Sequence, residues 1–364
     1  MNNPTYMHTF TNRISQRGLS LVELMISITI GLLILSALAT LFVNQSRTRM
    51  ELDKSNRLID NGRYALEVLS ENLRLAGFYG EGELTVAPVI LDPCTSNLST
   101  PNLSDLRNAL GLYVAGYDAV NVSTTIGSPP CGLVPTDLKA GSDILVLRRA
   151  DTTPIAVALA IPGMHYIQLS NCKNNTESVT STSSVIDTTA ANYVLHQRDC
   201  IAMASVRRFV VQTYFISPNN IAGDGIPTLK VKELDPAGTG VFITTPLVEG
   251  IEYLQVEYGI DGDNNADDVM DDINGDTVVD VKDKDGVADK YVTNCATAIC
   301  WSNVVSVKLN VIARNTETTA GYTNTNTYTL GQAGPFGPFN DSYKRHVYTQ
   351  IVRLVNPSSR RELP

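Results

Sequence analysis

Residues 17–42 read RGLSLVELMISITIGLLILSALATLF, and this stretch decides the architecture. From Leu24 to Val43 the chain runs 20 residues without a charge. At about 1.5 Å per residue a helix of that length covers roughly 30 Å, the depth of a bilayer core. Glu23 sits at the start of this run. A carboxylate in a membrane helix costs about 2.5–3.5 kcal/mol at full depth, so it either snorkels to the surface or finds a partner. Before it, residues 1–18 carry Arg13 and Arg17, no acids, and end in Gly18. An ordinary secretory signal is cut after its apolar run. Here the processing point that the residues offer, Gly18–Leu19, precedes the run, so the apolar segment stays with the mature chain.

The helix is expected to continue beyond the membrane. No proline occurs between Pro4 and Pro88. Leu52, Ser55, Ile59, Gly62, Leu66, Leu69, Leu73 and Ala76 recur at spacings of three and four, one stripe of an amphipathic helix. Ser55 and Gly62 within the stripe favour packing on a sheet of the same chain over a coiled coil. Gly77 stands where a helix C-cap belongs. The expected division is a leader over 1–18, a membrane half over 19–43, an amphipathic half over 44–77 and a globular part over 78–364.

The globular part reads as mostly β. The runs DILVLRR (143–149), IAVALAI (155–161), RRFVVQTYFI (207–216), TLKVKEL (228–234), EYLQVEYG (252–259), NVVSVKLNVIA (303–313) and RHVYTQIVRLV (345–355) have strand composition. Residues 174–192 and 315–329 read as polar loops or hairpin tips. The fold class is therefore α+β, a long N-terminal helix packed on a mostly antiparallel β domain. The formal charge is −9, and loss of the leader removes two more positive charges. Nucleic-acid binders usually carry a basic face, so no direct nucleic-acid contact is expected.

All six cysteines, Cys94, Cys131, Cys172, Cys200, Cys295 and Cys300, follow the membrane segment. An even set confined to an exported part implies disulfides formed in an oxidising compartment. Nearness in sequence favours Cys295–Cys300 first, then Cys94–Cys131 and Cys172–Cys200, although six cysteines allow about 15 connectivities.

Residues 261–289, DGDNNADDVMDDINGDTVVDVKDKDGVAD, hold eleven aspartates against two lysines. Asp272, Asn274, Asp276, Asp280 and Asp283 fall at positions 1, 3, 5, 9 and 12 of a twelve-residue loop, with the Val278 carbonyl at position 7. This is the oxygen-rich pattern that calcium selects. It resembles an EF-hand or dockerin-type loop, with Thr277 in place of the usual glycine. A second, poorer frame starts at Asp261 with Asp263, Asn265 and Asp267. Calcium is the expected cofactor. The histidines His8, His165, His196 and His346 are scattered, and no nucleophile elbow, phosphate loop or His-based metal motif occurs. The chain is not expected to be an enzyme.

The motif GLSLVELM joins a leader, a cut site and a placed charge. It resembles the class III signal of type IV pilins and pseudopilins, in which a glycine precedes a hydrophobic first mature residue and glutamate is the fifth. Gly18, Leu19 and Glu23 match it. Leu19 stands where Phe or Met is commoner, and Thr40 where many major pilins have a proline. The resemblance implies that prepilin peptidase cuts after Gly18 and N-methylates Leu19. It also implies that Glu23 neutralises the new amine on a neighbouring subunit. Further segments, NGRYALEVLSENLRLAGFYGE (61–81), VEGIEYLQVEYGID (248–261), WSNVVSVKLNVIAR (301–314) and YKRHVYTQIVRLVNP (343–357), resemble the PilW family of minor type IV pilins. The implied function is a subunit of the pilus tip or priming complex, with other minor pilins, the major pilin and a large tip adhesin as partners. The implied location is the inner membrane, with the globular part in the periplasm, and then the pilus tip. A J-type pseudopilin of type II secretion is the alternative, and a membrane-anchored calcium-dependent adhesin is the alternative from another class.

Overall fold

The computed structural model describes residues 18, 20–81, 89–90, 92–94, 109–172, 177, 184–235, 237, 239, 241–262 and 285–361. One helix, α1, runs from Leu21 to Leu75. The chain forms two compact units, one up to Asp53 and one from Lys54 onward. Within the first, every helical residue up to Met50 is exposed. Polar side chains in this stretch close onto their own backbone: Ser27 Oγ donates to Glu23 O at 2.7 Å, and Thr40 Oγ1 to Ser36 O at 2.7 Å. Such back-bonding lets hydroxyls sit in an apolar medium without an unmet donor.

In the second unit the helix buries Leu58, Gly62, Ala65, Leu66, Leu69, Ser70 and Leu73. The expected stripe is met from Gly62 onward. Before it, Leu52 is exposed, Ile59 is half-buried, and Leu58 takes the inward position. A strict alternation of three and four drifts from the true 3.6-residue turn, which accounts for the shift by one residue. The helix ends at Gly77, whose φ of 72° suits glycine. A Cβ there would crowd Tyr113.

Thirteen strands can be named among the described residues: β1 (Val114–Tyr117), β2 (Ile144–Ala150), β3 (Tyr166–Leu169), β4 (Ser184–Asp187), β5 (Val206–Ser217), β6 (Thr228–Leu234), β7 (Phe242–Glu249), β8 (Ile251–Ile260), β9 (Lys290–Val292), β10 (Val304–Arg314), β11 (Tyr328–Leu330), β12 (Ala333–Phe336) and β13 (Arg345–Arg353). Two short helices, α2 (Ala298–Ser302) and α3 (Val355–Arg361), complete the order. One sheet follows β1-β2-β5-β3-β4, with β6 joined to β5 and β7 to β6. A second follows β13-β10-β8-β9, and β11 pairs with β12. Every strand pairing in the described residues is antiparallel.

The main core joins Leu66, Leu69 and Leu73 of α1 to Leu145, Tyr214, Leu254, Val256 and Val307 of both sheets. All ten residues of β8 are buried, as expected of a strand covered on both faces. Tyr258 of β8 meets Trp301 of α2 edge-on at 4.6 Å. Two expectations fail. Residues 155–161 form no strand: Val157–Leu159 is a short 3-10 turn, and only Ile155 bridges to a strand, at Val206. Pro154 and Pro162 confine the run, and Leu159 and Ile161 are exposed. Neither polar segment is wholly loop: β4 lies within 174–192, and β11 begins at Tyr328 within 315–329.

Candidate functional site

The N-terminal end of α1 is organised by two residues. Ser20 Oγ accepts from the Glu23 backbone N–H at 3.2 Å, and Glu23 Oε2 accepts from the Ser20 backbone N–H at 3.0 Å. This reciprocal pair is a capping box, which satisfies two donors that the first helical turn would otherwise leave open. The box places the Glu23 carboxylate over the helix start, where the positive end of the helix dipole favours it. Glu23 stays exposed, and among the described residues its Oε1 has no partner. Gly18 is exposed coil, and Leu19 lies outside the described residues. Ser20 joins Glu23 as a functional residue here, and its signal in the sequence is S-x-x-E before an apolar run.

Beyond the box, the apolar side chains from Leu21 to Val43 lie between 46% and 74% exposed. A surface of this kind needs lipid or other chains to cover it.

The acidic stretch has a closed base. Asp261 Oδ2 accepts from Gly286 N at 3.1 Å, and Asp289 Oδ2 accepts from Gly262 N at 2.8 Å, so the two ends clasp each other. Arg361 of α3 donates to Asp261 Oδ2 at 3.1 Å and also to Ser302 O and Asn303 Oδ1. Asp261 is fully buried, and burial raises its carboxyl above the usual range. Among the described residues its Oδ1 has no hydrogen-bond partner. Asp263, Asn265, Asp267, Asp272, Asn274, Asp276, Val278, Asp280 and Asp283 lie outside the described residues. Among the described residues no three His, Cys, Asp or Glu side chains form a metal-binding group.

The same α3 segment caps the end of α1. Asn356 Nδ2 donates to Arg74 O and Ala76 O, and Arg360 Nη2 to Gly77 O at 2.9 Å. These bonds meet carbonyls that the last helical turn leaves open.

Disulfides join Cys94 to Cys131, Cys172 to Cys200 and Cys295 to Cys300. The first ties residues 92–94 to a turn between β1 and β2, and the second ties the segment after β3 to a turn before β5. The third closes a short loop at α2, beside Trp301.

The described histidines form no constellation. Among the described residues neither ring nitrogen of buried His165 has a partner, and burial pushes its pKa down to about 4. His196 Nδ1 stands 2.7 Å from Glu177 Oε1, and His346 stacks on Tyr348.

Two family models match the chain. A prokaryotic N-terminal methylation motif covers residues 13–39, and the Type IV Pilus-assembly protein W model covers residues 213–356. The first takes in the capping box and most of the apolar run. The second runs from β5 to the start of α3. No curated protein matches the chain. A solved structure of a type IV-like pilin from Thermus thermophilus aligns at 12% identity and a TM-score of 0.33, covering 83% of this chain and 97% of that one.

Proposed function

We propose that this chain is a PilW-like minor pilin of type IV pili, and that it enters the pilus by processing at Gly18–Leu19 and ion pairing through Glu23. Prepilin peptidase removes residues 1–18 and methylates Leu19, leaving a cationic amine at the start of a helix that keeps its apolar half. Glu23 of one subunit then neutralises that amine on its neighbour. The low dielectric of a helical bundle strengthens such a pair, and the pairing offsets the desolvation of both charges.

The observation that carries this reading is the capping box at the head of an uncovered apolar helix. It holds one carboxylate oxygen on the backbone and leaves the other open to a cation. The chain then works near the pilus tip, in a complex with other minor pilins that primes polymerisation and presents a large adhesin. Its globular part faces the periplasm before assembly. No catalytic step is assigned to it.

Glu23→Val tests the pairing. The variant should still be processed and reach the membrane, yet be missing from sheared pili. Incorporation of Glu23→Val at the wild-type level would overturn the role given to this carboxylate.

A further inference from the structure

A cleft of about 490 Å³ is lined by residues that follow α1, by β3, by the start of β5 and by the turn that carries Cys200. Small-ligand sites commonly fall between about 300 and 1,000 Å³. Tyr79, Ile167, Leu169 and Ala204 give the cleft buried apolar walls. The Tyr79 hydroxyl is committed to Leu110 O at 3.0 Å. Around these stand Glu81, Asn171, Gln197, Arg198 and Arg207.

The two arginines are held in place without a carboxylate. Arg207 of β5 pairs in register with Ile167 of β3. Its Nη1 donates to Asp151 O at 3.2 Å and to Thr152 O, and its guanidinium lies 5.2 Å from the centre of the Phe78 ring. These contacts fix the head and leave Nε and Nη2 without a partner among the described residues. Gly80 makes room for it: its φ is 110°, and a Cβ there would come within 3.1 Å of Arg207 Nε. Arg198 rides on a braced turn. The Cys172–Cys200 disulfide, the His196–Met203 bridge and Asp199, whose Oδ1 accepts from Ile201 N and Ala202 N, hold that turn. Among the described residues Arg198 forms no ion pair. A fixed, unpaired guanidinium matches a planar carboxylate, which it can hold through two parallel bonds. Two arginines against Glu81 leave the lining one net positive charge. That balance suits a monoanion, whereas a phosphate monoester brings about −1.5 to −2 into a cleft that already holds Glu81.

We propose that this cleft binds a carboxylate-bearing sugar, with Arg198 and Arg207 on the carboxylate. The Glu81 carboxylate and the side-chain amides of Asn171 and Gln197 serve the hydroxyls, and the apolar walls take the C–H face of the ring. Gln197 Nε2 already donates to Met203 O at 3.0 Å, so its oxygen is the group that accepts from a hydroxyl. The site belongs to the globular part and stands apart from the reading of how the chain enters a pilus.

Calorimetric titration of the full chain in detergent with glucuronate, glucose and inorganic phosphate tests this. Glucuronate should bind saturably, glucose at least about tenfold more weakly, and phosphate not at all. Arg198→Glu should weaken glucuronate by at least about tenfold and leave the melting temperature unmoved, because this side chain is exposed and holds no other element. An oligosaccharide that ends in glucuronate separates the two sources of the group. Binding as tight as that of the free acid places a glycan end in the cleft, and exclusion of the oligosaccharide places a free sugar acid there. Equal affinity for glucose and glucuronate would overturn the proposal, as would binding of phosphate or the lack of saturable glucuronate binding. Unchanged affinity in Arg198→Glu would overturn it as well. Glu23→Val should bind glucuronate as the wild type does, so failure of the pilus reading and failure of this site are read separately.

Discussion

Asp143 shows how one residue can set a property of the whole domain. It precedes β2, and its two carboxylate oxygens accept from Ala119 N at 3.0 Å and Val256 N at 2.8 Å, so it bridges the two sheets. Burial raises its pKa to about 8 against the backbone bonds that favour the anion. An acid with a raised native pKa holds its proton more tightly folded than unfolded. The stability this provides is complete below the unfolded value and is lost as pH rises towards 8. His165 acts in the opposite sense, because its native value is lowered to about 4: the unfolded chain takes up a proton first as pH falls below 6.5. The two slopes oppose each other between pH 4 and 6.5, so the clearest window lies above it. Melting temperature should fall from pH 6.5 to 8, and Asp143→Asn should flatten that decline. An equal decline in the variant would assign it to other groups. Nothing in the sequence marks Asp143: an aspartate ahead of a strand looks like a solvated turn, and only the approach of β8 buries it. Ser20 is the converse, a legible cap masked by the more obvious charge of Glu23.

Elements were legible where periodicity outlasted local noise. The apolar run and the stripe after Gly62 locate α1, and proline-free runs of apolar, β-branched and aromatic residues locate β2, β5, β8, β10 and β13. The failed strand at 155–161 has the same composition, but prolines bound it and no neighbour pairs along it. Gly62 had a reason beyond the stripe: a Cβ there would run into the Tyr348 ring, which lies across the helix from β13. Gly62→Ala gains helix propensity but overpacks the seam, so the net expectation is destabilisation by about 1–3 kcal/mol. Thermal denaturation of the single variant and of Gly62→Ala with Tyr348→Ala checks this. The second substitution should remove the clash, leaving a double-mutant coupling that a general packing defect would not show.

The acidic stretch 261–289 is a further case: its sequence supplies a ligand pattern, and the described residues at its two ends close on each other. Because Asp261 with Gly286 and Asp289 with Gly262 clasp its ends, a cation held within the loop would favour the folded sheet over the unfolded chain. If only the folded state binds, the gain grows as the logarithm of calcium over its dissociation constant. Chelation should lower the melting temperature, and Asp276→Ala should remove most of the response. Identical melting in saturating calcium and in chelator would leave this stretch a solvated loop.

At the scale of the whole molecule, the chain divides at Asp53 into parts with different solvents. The part from Lys54 onward closes its own core, ties its cysteines in three pairs between neighbours in sequence, and caps its helix with α3. Among the described residues, the earlier part covers none of its apolar side chains within the chain. Composition announced that contrast, because an uncharged 20-residue run cannot serve as a surface helix in water. How the globular part closes was less legible, since the contacts of Arg360 and Arg361 with Gly77 and Asp261 join residues distant in sequence. On the proposed processing, the apolar helix is retained after cleavage ahead of it, and Glu23 becomes the fifth residue of the mature chain. Intact mass of the protein purified from membranes or sheared pili tests it most directly. Processing at Gly18–Leu19 gives a chain that begins with N-methylated Leu19. A mass that still includes residues 1–18, or a chain beginning after Val43, would contradict it.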